Sequence, residues 1–223
     1  MKKRILTVAL VVALLATCFG GTLAYLKDTD AVKNTFTTGN VYIELDEALV
    51  KKADNGDLVA DGTTRVTEQT YKLFPGMEVT KDPTIHIEAG SEDAWIAAKI
   101  TITGNLAELK IGDKALVGAD GKLNVDTLIS GGLLGTKTGC TIEQVVDTST
   151  WTIYLYVDTA YAQSAGKTDI LLFDKLTIPA SWDNAEMTAI NNMMIDVQAY
   201  ATQAYGFATC EAAMKAAFPA AFN

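Results

Sequence analysis

AWIAAKITIT, residues 94–103, decides the fold. Ile96, Ala98, Ile100 and Ile102 share one parity, while Trp95, Ala97, Lys99 and Thr101 share the other. A period of two puts successive side chains on opposite faces of a strand, so the segment predicts a strand with one apolar face. WTIYLYV at 151–157 repeats the pattern, with Trp151, Ile153, Leu155 and Val157 facing inward and Thr152, Tyr154 and Tyr156 outward. Residues 194–204 set Ile195, Val197, Ala199 and Ala201 against Asp196, Gln198, Tyr200 and Thr202. Shorter β-rich runs stand at 35–45, 77–80 and 84–88, with a hairpin at 111–125 turning at 119–122. Residues 170–178 read as a strand pair or one long strand ended by Pro179. Turn chemistry separates these runs: Asp54-Asn55-Gly56-Asp57 and Asp61-Gly62 in a polar hairpin over 48–66, then Pro75-Gly76, then Asp120-Gly121. Many short strands without a βαβ rhythm predict an all-β protein, a β-sandwich carrying small loop and hairpin insertions.

The C-terminal end changes period. Phe207, Cys210, Met214 and Phe218 recur at spacings of three, four and four, one stripe of a helix. Thr209 suits the N-cap, Glu211 the first turn, and Pro219 the stop, so the sandwich ends in a short helix. The Gly-rich stretch 126–139 reads as a loop with a short helical turn at 126–129.

At the other end, Lys2, Lys3 and Arg4 precede an apolar run from Ile5 to Phe19, followed by Gly20-Gly21 and Thr22-Leu23-Ala24. This is the three-part layout of a secretory signal peptide, with Ala24 the last residue removed and Tyr25 the first retained. The apolar core is shorter than the roughly 20 residues a permanent span needs. The expectation is a signal peptide over 1–24 and a single β-sandwich domain over 25–223, secreted and without a stable membrane span after processing. A lipobox reading of Leu15-Ala16-Thr17-Cys18 is the minor alternative, because Thr17 replaces the usual small residue before a lipidated cysteine.

The chain has 18 basic and 27 acidic residues, a net charge of −9; losing three basic residues with the leader takes it to −12. Nucleic acid and anionic lipid both need a basic face, so neither is an expected partner. Of three cysteines, Cys18 leaves with the leader. Cys140 and Cys210 remain, either as one disulfide of an exported protein or as two buried small hydrophobes.

The search for catalytic chemistry returns little. The one histidine, His86, lies in Thr84-Ile85-His86-Ile87-Glu88, a strand position that more often serves a surface than a reaction. There is no Gly-x-Ser-x-Gly elbow, no His-Glu-x-x-His and no Gly-rich phosphate loop. Asp54, Asp57 and Asp61 are the densest carboxylates, but they lack the ligand series of a calcium loop and read as a solvated hairpin. No cofactor and no metal are expected, and the chain is not read as an enzyme. Lys, Asn and carboxylate side chains are also the raw material of intramolecular isopeptide bonds, but composition singles out no such group. Residues 218–223 show no sorting motif, apolar span or basic tail, so wall attachment by that route is not expected.

One family does fit these residues. Gly21-Thr22-Leu23-Ala24-Tyr25, then Asp28, Asn34, Phe36, Gly39 and Val41, resembles the start of the signal-peptidase-W-dependent proteins. These are the camelysin and TasA family of biofilm matrix proteins of Gram-positive bacteria. LFPGMEVTKDP (73–83), GSEDAWIAAKI (90–100), IPASWDN (178–184) and VQAYATQAYGF (197–207) are similar to later family segments, and 104–150 is least constrained. The resemblance implies a jelly-roll-like sandwich, processing by a dedicated signal peptidase, and extracellular fibres grown by donor-strand exchange. The donor would be about residues 25–36, with Leu26, Val32 and Phe36 filling pockets of the next copy; the partners implied are copies of the chain itself and other matrix proteins. Leu26 and Lys27 depart from the family's usual aromatic and small polar residues. The peptidase activity ascribed to camelysins is not carried over, for want of a recognisable site. Two other readings stand beside the matrix subunit. One is a monomeric binding module using Tyr154, Tyr156, Tyr200 and Tyr205 as contact aromatics; the other is a camelysin-like peptidase.

Overall fold

A computed structural model describes residues 39–130, 139–147 and 150–222. The signal peptide with its Ala24–Tyr25 cut, and the donor segment carrying Leu26, Val32 and Phe36, lie outside the described residues, as does the middle of the Gly-rich loop.

The chain is mostly β-sheet with a C-terminal helix, as the alternating segments require. The first strands are β1 (Ile43–Lys52), β2 (Leu58–Val66), β3 (Glu78–Thr80) and β4 (Thr84–Ile87). Then follow β5 (Ala94–Thr103), β6 (Lys110–Ile111), β7 (Lys114–Ala115), helix α1 (Val125–Ser130), β8 (Cys140–Asp147) and β9 (Thr150–Val157). The last elements are β10 (Thr168–Leu171), β11 (Lys175–Thr177), helix α2 (Asn184–Ala189), β12 (Met194–Gln203) and helix α3 (Cys210–Ala217). One sheet has the order β10-β4-β1-β2-β3-β11, the other β12-β5-β9-β8, and β6 pairs with β7 alone.

The two large sheets share one apolar core. Ile96, Ala98, Ile100 and Ile102 of β5 and Trp151, Ile153 and Leu155 of β9 meet Val79, Ile85 and Ile87 of the other sheet. Each fully buried Ile of this set stabilises the fold by about 1.5–3 kcal/mol relative to exposure. The arrangement is sandwich-like, and the parity read from 94–103 is the one observed.

Three expectations change in detail. Of the run at 35–45, residues 35–38 lie outside the described residues, 39–42 carry no strand, and the first described strand starts at Ile43. Residues 110–123 make two turns where one hairpin was expected. Gly112, at φ 60°, closes the β6–β7 hairpin, and a second turn over 118–122 is flanked by the Val117–Leu123 bridge. Trp182 Nε1 donates to Lys110 O at 2.7 Å and Trp151 Nε1 to Gly121 O at 3.0 Å, tying this excursion to the core. Residues 170–178 are two strands on opposite edges of the six-stranded sheet. β3 and β4 also lie on opposite sides of the β1–β2 hairpin, with only Lys81, Asp82 and Pro83 between them. Three strand spacings come to about 14 Å, roughly the full reach of that linker, so the sheet has no slack to lie flat there.

Candidate functional site

β12 is the outer strand of its sheet. Its register with β5 is unbroken from Met194–Thr103 to Gln203–Ala94, and Ala204 N donates to Asp93 O at 2.8 Å. Backbone groups alternate sides along a strand, so the same parity turns the N–H and C=O of Ile195, Val197, Ala199 and Ala201 away from β5. Among the described residues no strand pairs with that outer edge. The side chains of these four residues are only partly buried against the core.

Beside the edge runs a groove of about 1050 Å³. One wall is β12 from Met194 to Val197 with the α2–β12 connection; the other is β1 from Leu45 to Glu47 with residues 69–73 and Lys81. The two sheets therefore part along this side, leaving backbone unpaired among the described residues next to partly covered apolar side chains. Gly39 lies near the other end of the edge. Glu92 N donates to Asn40 O at 3.0 Å, one residue from Asp93, which receives Ala204 N.

The β1 wall is polar, and a bulge explains why. The β1–β2 register slips between Ala48 and Val50. On the opposite edge of β1, β4 leaves the ladder after Thr84, so backbone donors there need other acceptors. Asp82 Oδ1 accepts from Ala48 N at 2.7 Å, and Gln69 Oε1 accepts from Val50 N at 2.9 Å. Gln69 Nε2 donates to Ala48 O at 2.7 Å. Two side chains thus replace the missing strand.

Two charge clusters flank the bulge. In the first, Glu47 and Lys81 form an ion pair with each residue 7% exposed. Tyr71 Oη donates to Glu47 Oε1 at 2.9 Å, Gln69 Nε2 donates to the same oxygen at 3.2 Å, and Lys81 Nζ lies 5.5 Å from the Tyr71 ring centre. Burial, then the Glu47 charge and hydrogen bond, push the Tyr71 phenol far above its ordinary pKa, so it stays a donor. In the second cluster, Arg65 bridges Asp46 (Nε to Oδ1, 2.7 Å) and Asp82 (Nη1 to Oδ2, 2.7 Å), and Nη2 reaches both backbone carbonyls at 3.2 Å. His86 extends the second cluster with Nε2 at 2.9 Å from Asp46 Oδ1 and Nδ1 at 2.7 Å from Asp169 Oδ1. Both ring nitrogens face carboxylates, which the doubly protonated ring satisfies best. Burial works against that form, but hydrogen bonds and charge from Asp169 and Asp46 outweigh it and raise the His86 pKa. Asp46 is lowered: burial opposes the shift, and His86 and Arg65 overcome it.

The residues singled out in the sequence separate in space. Asp57 accepts from Glu78 N at 2.8 Å, tying the hairpin turn to β3, and Asp61 pairs with Lys51 across the hairpin at 2.8 Å. Among the described residues no group of three or more His, Cys, Asp or Glu is placed to hold a metal. Cys140 and Cys210 are not joined in this structure. The Cys210 thiol donates to Ile96 O at 3.1 Å, and Cys140 stands opposite Val157 on β8.

The four contact tyrosines need correction. Tyr154 and Tyr156 do lie on the outer face of β9, but α3 and Phe222 cover them, leaving 5% and 2% exposed. Tyr200 packs edge-on against Phe218 and Phe222, and of the four only Tyr205 stands clear, 89% exposed. The sequence reading missed the whole polar wall. Its signal was the Asp46-Glu47 pair inside an apolar strand and the Lys81-Asp82 step closing LFPGMEVTKDP.

No helix among the described residues is long and apolar enough to cross a membrane. No family model, no curated protein and no solved structure matches the chain.

Proposed function

We propose that this chain is a secreted structural subunit that joins copies of itself into extracellular fibres, in the manner of the camelysin and TasA family that its sequence resembles. One observation carries the reading: the outer edge of β12, unpaired among the described residues, opens from Met194 to Val197 onto a groove. An edge with spare N–H and C=O groups beside apolar pockets is an acceptor for an added strand. Residues 25–36 of a neighbouring copy are the donor, with Leu26, Val32 and Phe36 as the side chains that enter the groove. Removal of residues 1–24 by a signal peptidase frees that donor. The same reading includes export, a non-enzymatic role in a biofilm matrix and a jelly-roll connection of the two sheets.

The test compares residues 25–223 with residues 39–223 by electron microscopy. Fibres from the longer chain alone support strand donation; monomers from both under every condition refute it. The binding-module reading loses its main support with the burial of Tyr154 and Tyr156. A casein assay with and without chelator decides the peptidase reading.

A further inference from the structure

We infer that Glu47 and Lys81 are the two ends of an intramolecular isopeptide bond, formed by condensation after folding. The inference does not depend on fibre assembly and concerns the single folded chain.

The geometry divides the Glu47 carboxylate into two different oxygens. Lys81 Nζ lies against Oε2, and Oε1 receives two donors, Tyr71 Oη at 2.9 Å and Gln69 Nε2 at 3.2 Å. In amide formation the carbonyl carbon becomes tetrahedral and one oxygen takes up negative charge. Two fixed donors aimed at that oxygen are the arrangement that stabilises it. The other oxygen, beside the amine, is the one that must leave.

The reaction balances without a co-reactant. One ammonium proton passes from Lys81 to Glu47 Oε2, leaving a neutral amine and a carboxylic acid. Moving this proton costs less away from water, because neither charge then has to be held in a low-dielectric site. The Nζ lone pair attacks Glu47 Cδ. A second proton moves from nitrogen to Oε2, and the C–Oε2 bond breaks with release of one water. The product is a secondary amide whose carbonyl oxygen keeps the Tyr71 and Gln69 hydrogen bonds. Both residues are 7% exposed, so bulk water has little access for the reverse hydrolysis. Positioning lowers the barrier that condensation meets in open solution, since well-aligned intramolecular partners react with effective molarities of about 10⁵ M or more.

The bond would also suit its place in the fold. It joins β1 beside its bulge to the linker between β3 and β4, the junction where the six-stranded sheet has no slack. An unlinked ion pair of this burial contributes little net stability, because desolvation offsets the attraction.

The test is the denatured, reduced mass of residues 25–223, followed by proteolysis and tandem mass spectrometry. The expected result is a chain one water lighter than its sequence, with the peptide containing Glu47 joined to the one containing Lys81. A chain at full sequence mass overturns the inference. So does a water loss that maps to an imide at Asp61-Gly62 or Asp120-Gly121. Refolded Tyr71→Phe is expected to acquire the bond several-fold more slowly than the parent; an unchanged rate overturns the role given to Tyr71.

Discussion

Arg65 sits where four acceptors converge, and its removal isolates the effect of a single residue. Arg65→Ala leaves Asp46 and Asp82 facing the bulge without their cation, and the expected loss is about 2 kcal/mol, the scale of charge-assisted hydrogen bonds. Urea denaturation of the variant checks it. His86 gives a pH signature. Its folded pKa is raised, so its contribution is fully present below the unfolded value near 6.5 and disappears as pH rises through the folded value. The stability gap between parent and His86→Gln should therefore be wider at pH 5.5 than at pH 9, as read from denaturant midpoints. A gap that widens with alkalinity would contradict the assigned contacts. The sequence marks Asp46 and Asp82 as charges beside apolar strands, but not that they meet. Asp46, Arg65, Asp82, His86 and Asp169 come from five separate segments, and periodicity carries no information about which segments meet.

At the scale of elements, α3 is the clearest case of a helix that was legible while its target was not. The stripe Cys210, Met214, Phe218 and the Thr209 cap announced it, and Thr209 Oγ1 does accept from Ala212 N at 3.3 Å. Alternation on β9 correctly put Tyr154 and Tyr156 on the outer face but cannot say whether solvent or a helix covers that face. The clue was composition: Trp95, Ala97, Tyr154, Tyr156 and Tyr200 make an outer face too apolar to be left bare. Met214→Ala should cost about 2–5 kcal/mol through the cavity it leaves, and Thr209→Ala about 1 kcal/mol. Thermal denaturation measures both. Burial pushes the Cys210 thiol up to about 12, so a thiol reagent at pH 8 should modify it only on unfolding. Rapid labelling of Cys210 in the native protein would show that α3 does not hold its cover.

For the whole molecule, residues 94–103, 151–157 and 194–204 were enough to place the chain among all-β proteins, since each shows a clean period of two and each became a long strand of one sheet. Strand order was not legible. β3 and β4 are neighbours in sequence yet lie on opposite sides of the β1–β2 hairpin, and β10 and β11 in turn take the opposite edges of the sheet. The edge of β12 left unpaired among the described residues was equally hidden, because an edge strand and a central strand can share one side-chain pattern. That edge now carries the functional account, and its register names the residue to change. Ala199 turns its N–H outward, so Ala199→Pro removes no bond to β5 but takes one donor from any incoming strand. The decisive measurement is sedimentation velocity of residues 25–223 with and without Ala199→Pro, with circular dichroism confirming the fold of both. Strand donation at this edge gives large assemblies for the parent and a folded monomer for the variant. Assemblies of equal size from both would contradict it.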